Sequence, residues 1–79
     1  MKINILPFGA LTDLIAPTGF VLEKETIANV QQLHQYLTAA YPAIAQQKFR
    51  YAVNQELADE THPIGNGDEV ALLPPFSGG

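Results

Sequence analysis

The sequence predicts an α+β fold in which one main helix crosses a mixed sheet of four to five strands. Short segments with alternating apolar residues lie near the start of the chain and at residues 49–54, and a near-continuous apolar run occupies residues 70–77. Alternation of this kind is typical of half-buried strands. One segment that begins near residue 30 instead has its apolar residues at helical spacing.

Two strands are predicted in the first third of the chain. Residues 2–8 alternate between two faces. One face carries Ile3 and Ile5, and the other carries Asn4, Leu6 and Phe8. Residues 9–18 contain glycine and proline and predict a loop. Residues 19–25 predict a second strand, which we expect to pair antiparallel with the first.

The helix is predicted to begin after Asn29, whose side-chain oxygen can accept a hydrogen bond from a free backbone N–H. Gln32 lies three residues later and completes a capping-box pattern. The predicted buried stripe consists of Val30, Leu33, Leu37 and Ala40. Pro42 limits the length of this helix, and residues 43–47 are expected to add one short turn.

Three further segments complete the predicted sheet. Residues 49–54 predict a strand, and residues 57–58 predict a short return strand after a turn at residues 55–56. The Gly-Asn-Gly-Asp turn signal at residues 65–68 then precedes a last strand at about residues 69–75.

The topology follows from the one long connection, which contains the helix and favours a parallel pairing between the first and last strands. This order of elements is the β-grasp, or ubiquitin-like, arrangement. We expect one domain over residues 1–79 with an extended Gly-Gly tail at residues 76–79. An open ferredoxin-like sheet would need a second full helix, and residues 55–68 contain too many helix-breaking residues for one.

Composition excludes several classes of function. Eight acidic and four basic residues give a net charge of −4, which disfavours nucleic-acid binding. The absence of cysteine excludes disulfides, thiolate metal sites and a cysteine nucleophile. We see no signal peptide and no apolar stretch of membrane-spanning length, so we expect no membrane partner and a cytoplasmic location.

Few side chains offer chemistry of their own. His34 and His62 have no neighbour at metal-ligand spacing, so no metal site is predicted. The acidic pairs at residues 59–60 and 68–69 are interpreted as solvated loop charges, because nothing nearby would raise a carboxyl pKa. Ser77 has no candidate base.

The end of the chain is the most informative feature. Gly78 and Gly79 follow an apolar run at residues 70–77. A tail without side chains can enter a narrow channel and presents a terminal carboxylate. If the helix covers one sheet face, the other face carries an apolar patch at the root of this tail, formed by Leu6, Phe8, Ala71 and Leu73 and bordered by Leu57. The alternative is that the loop at residues 9–18 folds over the patch.

The run Gly-Asp-Glu-Val-Ala-Leu-Leu-Pro-Pro-Phe-Ser-Gly-Gly at residues 67–79 resembles the C-terminal signature of the MoaD-type sulfur carriers, the small subunits of molybdopterin synthase. Further support comes from Phe8, from Ala52-Val53-Asn54-Gln55 and from His62-Pro63-Ile64. The pair Pro74-Pro75 favours this branch over the thiazole-forming branch, which shares the fold and the Gly-Gly end. Pro7 and residues 9–13 depart from the family pattern and leave the details of partner binding open.

This resemblance implies that an E1-like enzyme uses ATP to adenylate Gly79, next to Gly78, and that a sulfur donor converts the adenylate to a thiocarboxylate. The chain itself would bind no cofactor. The large synthase subunit would be the partner, in a heterotetramer of two small and two large subunits. The implied interface consists of Leu6, Phe8, Leu57, Leu73, Pro74, Pro75, Phe76 and Ser77.

Three alternatives stay open from the sequence. The chain could carry sulfur to thiazole or another acceptor, it could be a ubiquitin-like modifier of lysines, or it could be an interaction domain with an inert tail.

Overall fold

The computed structural model describes residues 1–23 and 27–75, which form a five-stranded mixed sheet with helices packed on one face. The strands are β1 (Lys2–Pro7), β2 (Phe20–Glu23), β3 (Arg50–Val53), β4 (Glu56–Ala58) and β5 (Glu69–Leu73). The helices are α1 (Leu11–Leu14), α2 (Val30–Ala40) and a 3-10 helix at Pro42–Gln46. The predicted α+β class with one main helix is confirmed. Within the described ranges no helix is long and apolar enough to span a bilayer.

The last strand lies in the centre of the sheet, whose order is β2-β1-β5-β3-β4. β5 pairs parallel with β1, with Ile5 opposite Val70 and Leu6 opposite Ala71, and antiparallel with β3. The predicted parallel pairing of the first and last strands is therefore confirmed, as is the antiparallel pairing of β1 with β2.

One face of the sheet and the inner side of α2 form the core. Its fully buried members include Ile3, Ile5, Val70 and Leu72 from the sheet, and Leu33 and Leu37 from α2. The prediction that Ala40 belongs to the buried stripe was wrong, because Ala40 is the exposed last residue of α2. The chain turns there into the 3-10 helix, which supplies Ile44 to the core instead.

The N-terminus of α2 has partners for its first four backbone N–H groups. Asn29 is the N-cap as predicted, and its side chain accepts from the N–H of Gln32. The Gln32 side chain returns to the N–H of Ala28, one residue before the cap. The loop after β4 supplies carbonyl oxygens to the N–H groups of Val30 and Gln31, so helix capping also anchors this loop.

Three predicted boundaries were wrong for local reasons. Residues 9–18 were predicted as a loop but contain α1, whose Leu11 is buried in the core. The β3–β4 turn lies one residue earlier than expected, at Asn54 and Gln55, which both have positive φ. β5 ends at Leu73 rather than at residue 75. The predicted second strand extended to residue 25, and residues 24–26 lie outside the described part of the chain.

Asn54 joins the β3–β4 turn to the start of β5. Its side chain accepts from the N–H of Glu69 and donates to the carboxylate of Asp68. The other oxygen of Asp68 accepts from the N–H of Gly65, 2.7 Å away. These contacts lower the pKa of the Asp68 carboxyl, through the Gly65 hydrogen bond first and the Asn54 hydrogen bond second. One of the acidic residues predicted to be a solvated loop charge, Asp68, is therefore a structural carboxylate that stabilises the turn before β5.

Acid is expected to weaken the fold through Asp68. Because its folded-state pKa is lowered, its stabilisation is fully present above the pKa of an unfolded aspartate and is lost as pH falls through the lower folded pKa. We expect Asp68→Asn to reduce the free energy of unfolding at neutral pH by about 1 kcal/mol, a value discounted for solvent screening. Urea titrations from neutral to acidic pH should also show a shallower pH dependence.

The matched control is Asp13→Asn, which removes an exposed carboxylate in α1 and should change the free energy of unfolding at neutral pH by less than about 0.5 kcal/mol. Asp59, whose pKa is lowered mainly by the Thr61 hydroxyl, supplies part of the slope that remains. An undiminished slope in Asp68→Asn would show that this carboxylate does not secure β5.

Candidate docking face

The sheet face opposite α2 carries a continuous row of apolar residues. In register across four strands, Leu6 lies opposite Ala71, Ala71 opposite Ala52, and Ala52 opposite Leu57. Phe8 and Leu73 extend the row at the C-terminal ends of β1 and β5. We call this surface the docking face, and it consists of Leu6, Phe8, Ala52, Leu57, Ala71 and Leu73.

Exposed apolar side chains mark the same side of the sheet. Among the residues that the structure describes, the exposed large apolar side chains are Phe8 at 46%, Val21 at 54% and Leu57 at 54%. All three lie on the side of the sheet away from α2, since Val21 pairs with Asn4 and Leu57 with Ala52. The sequence prediction missed Val21 and Ala52. Successive residues of a strand point to opposite faces of the sheet, and applying this rule to β2 and β3 would have placed both residues on the outer face.

Charge varies along this side of the sheet. At the far end, Lys2 pairs with Glu23 across β1 and β2 at 3.7 Å, and both side chains are about 70% exposed. Such a surface ion pair adds little stability. At the tail end, Arg50 is the register partner of Leu73 and places one cation at the rim. The apolar row on this side of the sheet therefore has a charged residue near each of its ends.

The helical part of the connection between β1 and β2 lies away from the docking face. α1 packs on the helix side of the sheet, where Leu11 enters the core and α1 contacts the 3-10 helix. The alternative in which residues 9–18 fold over the patch is thereby excluded for this conformation. The exposure of Phe8, immediately before this connection, agrees with that placement.

Gly19 leaves room for the side chain of Leu6, because it carries no Cβ of its own. A Cβ at Gly19 would lie 2.5 Å from Cδ2 of Leu6 and 2.8 Å from the carbonyl oxygen of Ile5. Both distances are shorter than any ordinary contact, so only glycine fits there without a shift. Gly19 thus allows Leu6 to lie flat against the start of β2, half-buried in the docking face.

The root of the tail leaves the sheet beside this face. Pro74 and Pro75 follow β5 and are exposed. The remaining predicted tail residues, Phe76, Ser77, Gly78 and Gly79, lie outside the described residues. The structure therefore brings Leu6, Phe8, Leu57 and Leu73 to one side of the sheet, as the alternation predicted, and Pro74 and Pro75 follow where β5 ends.

A separate concavity of about 420 Å³ lies on the opposite side of β3, between α2 and β4. His34 is exposed there, as predicted for a solvated edge residue, and its ring also packs against Phe49 and Tyr51, with its Nδ1 2.9 Å from the Tyr51 hydroxyl. Burial raises the pKa of Tyr51 well above its usual value, so the phenol stays protonated. Within residues 1–23 and 27–75, no three acidic or histidine side chains converge on a metal position.

Comparison with known proteins gives a consistent result along the whole chain. Residues 5–79 match the ThiS family. A molybdopterin synthase sulfur carrier subunit from Mycobacterium tuberculosis is 34% identical, with 100% of this chain and 99% of that protein covered. Three further relatives that are 30–32% identical carry the same name.

Solved structures agree with the fold. A complex of subunits 1 and 2 of molybdopterin-converting factor from Helicobacter pylori contains a chain that is 25% identical, with a TM-score of 0.71 and full coverage of both chains. The small archaeal modifier protein 1 from Haloferax volcanii is similar with a TM-score of 0.81, 24% identity and full coverage of both chains. At that identity the second similarity supports the fold alone.

The glycine that supports Leu6 can be tested by stability measurements. We expect Gly19→Ala to lower the free energy of unfolding by about 1–3 kcal/mol, since the new methyl group must displace Leu6 or the Ile5 carbonyl. Gly65→Ala is the control, because its Cβ would meet only Asp68 Oδ2 at an ordinary 3.8 Å. Equal unfolding midpoints for the two variants in guanidinium would contradict the close approach.

Proposed function

We propose that this chain, which belongs to the ThiS family, is the sulfur-carrier subunit of a molybdopterin synthase. The observation that carries the proposal is the full-length similarity to sulfur carrier subunits of that name, at 34% identity for the Mycobacterium tuberculosis protein. The fold adds an independent argument. An apolar docking face lies at the root of a segment that ends in Gly78 and Gly79.

The proposed chemistry begins at the Gly79 carboxylate, which is a poor electrophile. An E1-like adenylating enzyme would direct a carboxylate oxygen onto the α-phosphorus of ATP, with pyrophosphate as the leaving group. A hydrosulfide equivalent would then attack the acyl carbon, expel AMP and leave a thiocarboxylate. ATP is a substrate of that enzyme in this scheme, and the carrier itself needs no bound cofactor. We place this chemistry in the cytoplasm.

Sulfur delivery would take place in the large synthase subunit. A thiocarboxylate sulfur is ionised at neutral pH and is a soft nucleophile, suited to attack on a pterin precursor. Each carrier supplies one sulfur, so a dithiolene requires two deliveries, in keeping with the proposed two small and two large subunits. Four extended residues span roughly 13 Å, enough to enter a buried site. The rate enhancement would come mainly from positioning by the partner.

The docking face suits the proposed protein partner. Half-exposed Phe8 and Leu57 would lose contact with water on binding, and burial of apolar area is the main driving force for association. The Helicobacter pylori structure, whose name describes a complex of subunits 1 and 2, supports a large-subunit partner for this chain. The small charged rim, with Arg50 beside Leu73, would set orientation more than affinity.

The alternatives are less well supported. The four relatives cited above are named for molybdopterin synthase, which disfavours delivery to thiazole or another acceptor. The likeness to an archaeal modifier protein supports the fold alone. A modifier would be recognised by lysine-linked adducts, and an inert interaction domain by a tail that can be removed without loss of activity.

Removal of Gly79 tests the proposed working group. We expect the truncated protein to accept no sulfur, because the carboxylate then lies one residue short of the reactive position. The measurement is intact mass after incubation with ATP, an adenylating enzyme and sulfide, in which the full chain should exchange one oxygen for sulfur. Matching thermal unfolding curves would show that the truncation leaves the fold intact. A fully active truncated chain would refute the proposal.

The docking face can be tested separately from the tail chemistry. Phe8→Asp and Leu73→Asp should each weaken binding to the large subunit roughly tenfold or more, because a desolvated carboxylate would be buried without a partner. Ala43→Asp is the matched control, since Ala43 is exposed in the 3-10 helix on the other side of the sheet. Titration calorimetry giving one affinity for all three variants would assign binding to another surface.

A further inference from the structure

The turn after β1 lies against the chain that leaves β5. Phe8 donates its N–H to the carbonyl of Leu72, which continues the β1–β5 ladder past the end of β1. Gly9 follows with φ at +60°, a conformation that residues with a side chain rarely adopt. Its carbonyl accepts from the N–H and the hydroxyl of Thr12, so α1 holds the turn from the other side.

Pro74 rests directly on this turn. A Cβ at Gly9 would lie 2.9 Å from Cγ of Pro74, and 3.6 Å from both its Cβ and Cδ. The pyrrolidine ring therefore occupies the space that any side chain at position 9 would need. Gly67 provides an internal comparison, since its φ is +85° but a Cβ there would meet nothing within 4 Å. Gly67 is required by conformation alone, whereas Gly9 is required by conformation and by contact.

We infer that Gly9 is a positioning residue that sets the direction in which the C-terminal tail leaves the sheet. This inference rests on the proposed function, because direction matters only if the tail is delivered to an enzyme. The proline ring fixes one backbone torsion of Pro74, and its packing on Gly9 fixes the ring relative to β1. The docking face and Pro74, at the root of the tail, are thereby set in one orientation by residues from opposite ends of the chain.

The mechanical consequence follows from the length of the tail. Five extended residues after Pro74 span roughly 16 Å. A tilt of about 10° at Pro74 would then displace the end of an extended tail by about 3 Å, and a misplacement of about 1 Å can already reduce a rate a hundredfold. The contact between Gly9 and Pro74 would therefore affect the position of the Gly79 carboxylate indirectly, through the direction of the tail.

The experiment is a double-mutant cycle in ATP-dependent pyrophosphate release by an adenylating enzyme. Gly9→Ala should lower kcat tenfold or more and leave KM within about twofold, because the docking face is retained. In a Pro74→Ala background the same change should cost less than about threefold. Cγ is then absent, and the remaining Cβ lies at an ordinary 3.6 Å.

Gly67→Ala is the matched control, since it imposes comparable backbone strain without a clash. It should lower the thermal midpoint as Gly9→Ala does, but leave kcat unchanged. Proton NMR adds a readout that needs no enzyme. Nuclear Overhauser cross-peaks between the Hα of residue 9 and the Pro74 ring should be present in the wild type and weakened in Gly9→Ala.

The outcomes distinguish a failure of the proposed carrier function from a failure of the positioning role of Gly9. If the wild-type chain supports no pyrophosphate release and never gains sulfur, the proposed function fails, whatever Gly9 does. If the wild type is active but Gly9→Ala loses the same factor in both backgrounds, or Gly67→Ala loses as much, the positioning role is refuted and the carrier function stands.

Discussion

The parallel pairing of β1 with β5 is the constraint on which the rest of this structure depends. It places the last strand between two neighbours, so the chain leaves the centre of the sheet from a strand that is hydrogen-bonded on both sides. It also brings residues from opposite ends of the sequence into contact, with Leu6 opposite Ala71 and Gly9 against Pro74. The docking face and the root of the tail are thus two products of one pairing.

The hydrogen bonds of Asn54 and Asp68 at the start of β5 help to fix the register of this strand, and the register decides which β5 side chains lie on the docking face. A slip of one residue would turn Ala71 and Leu73 inward and send Val70 and Leu72 to solvent. Asn54 and Asp68 oppose such a slip, because their hydrogen bonds are specific for the first residues of β5. Residues far from the tail therefore determine which side chains a partner would meet.

The parts of the fold that could be predicted are those that local periodicity determines, namely the strands, α2 and its Asn29 cap. The short helix at residues 11–14 spans barely one turn, too little for a periodic pattern, and was missed, although Leu11 is buried. The hairpin turn was misplaced because Gln55 has no preference for the positive φ that it adopts. Contacts such as Gly9 with Pro74 link positions distant in sequence, so no pattern in a single chain indicates them.

The chemistry of the described residues limits how changes in the globule could affect the proposed reaction. The carboxyl pKa values that shift, those of Asp59 and Asp68, move downward through hydrogen bonds with structural neighbours, whereas a general acid needs a raised pKa. In the proposed reaction, bonds would form and break at the Gly79 carboxylate with groups supplied by the partner enzymes. Substitutions in the globule would act through three measurable quantities: stability, affinity of the docking face, and direction of the tail. A substitution in the globule that altered the reaction rate while all three stayed constant would require a further group in this chain, besides the Gly79 carboxylate, that participates in the chemistry.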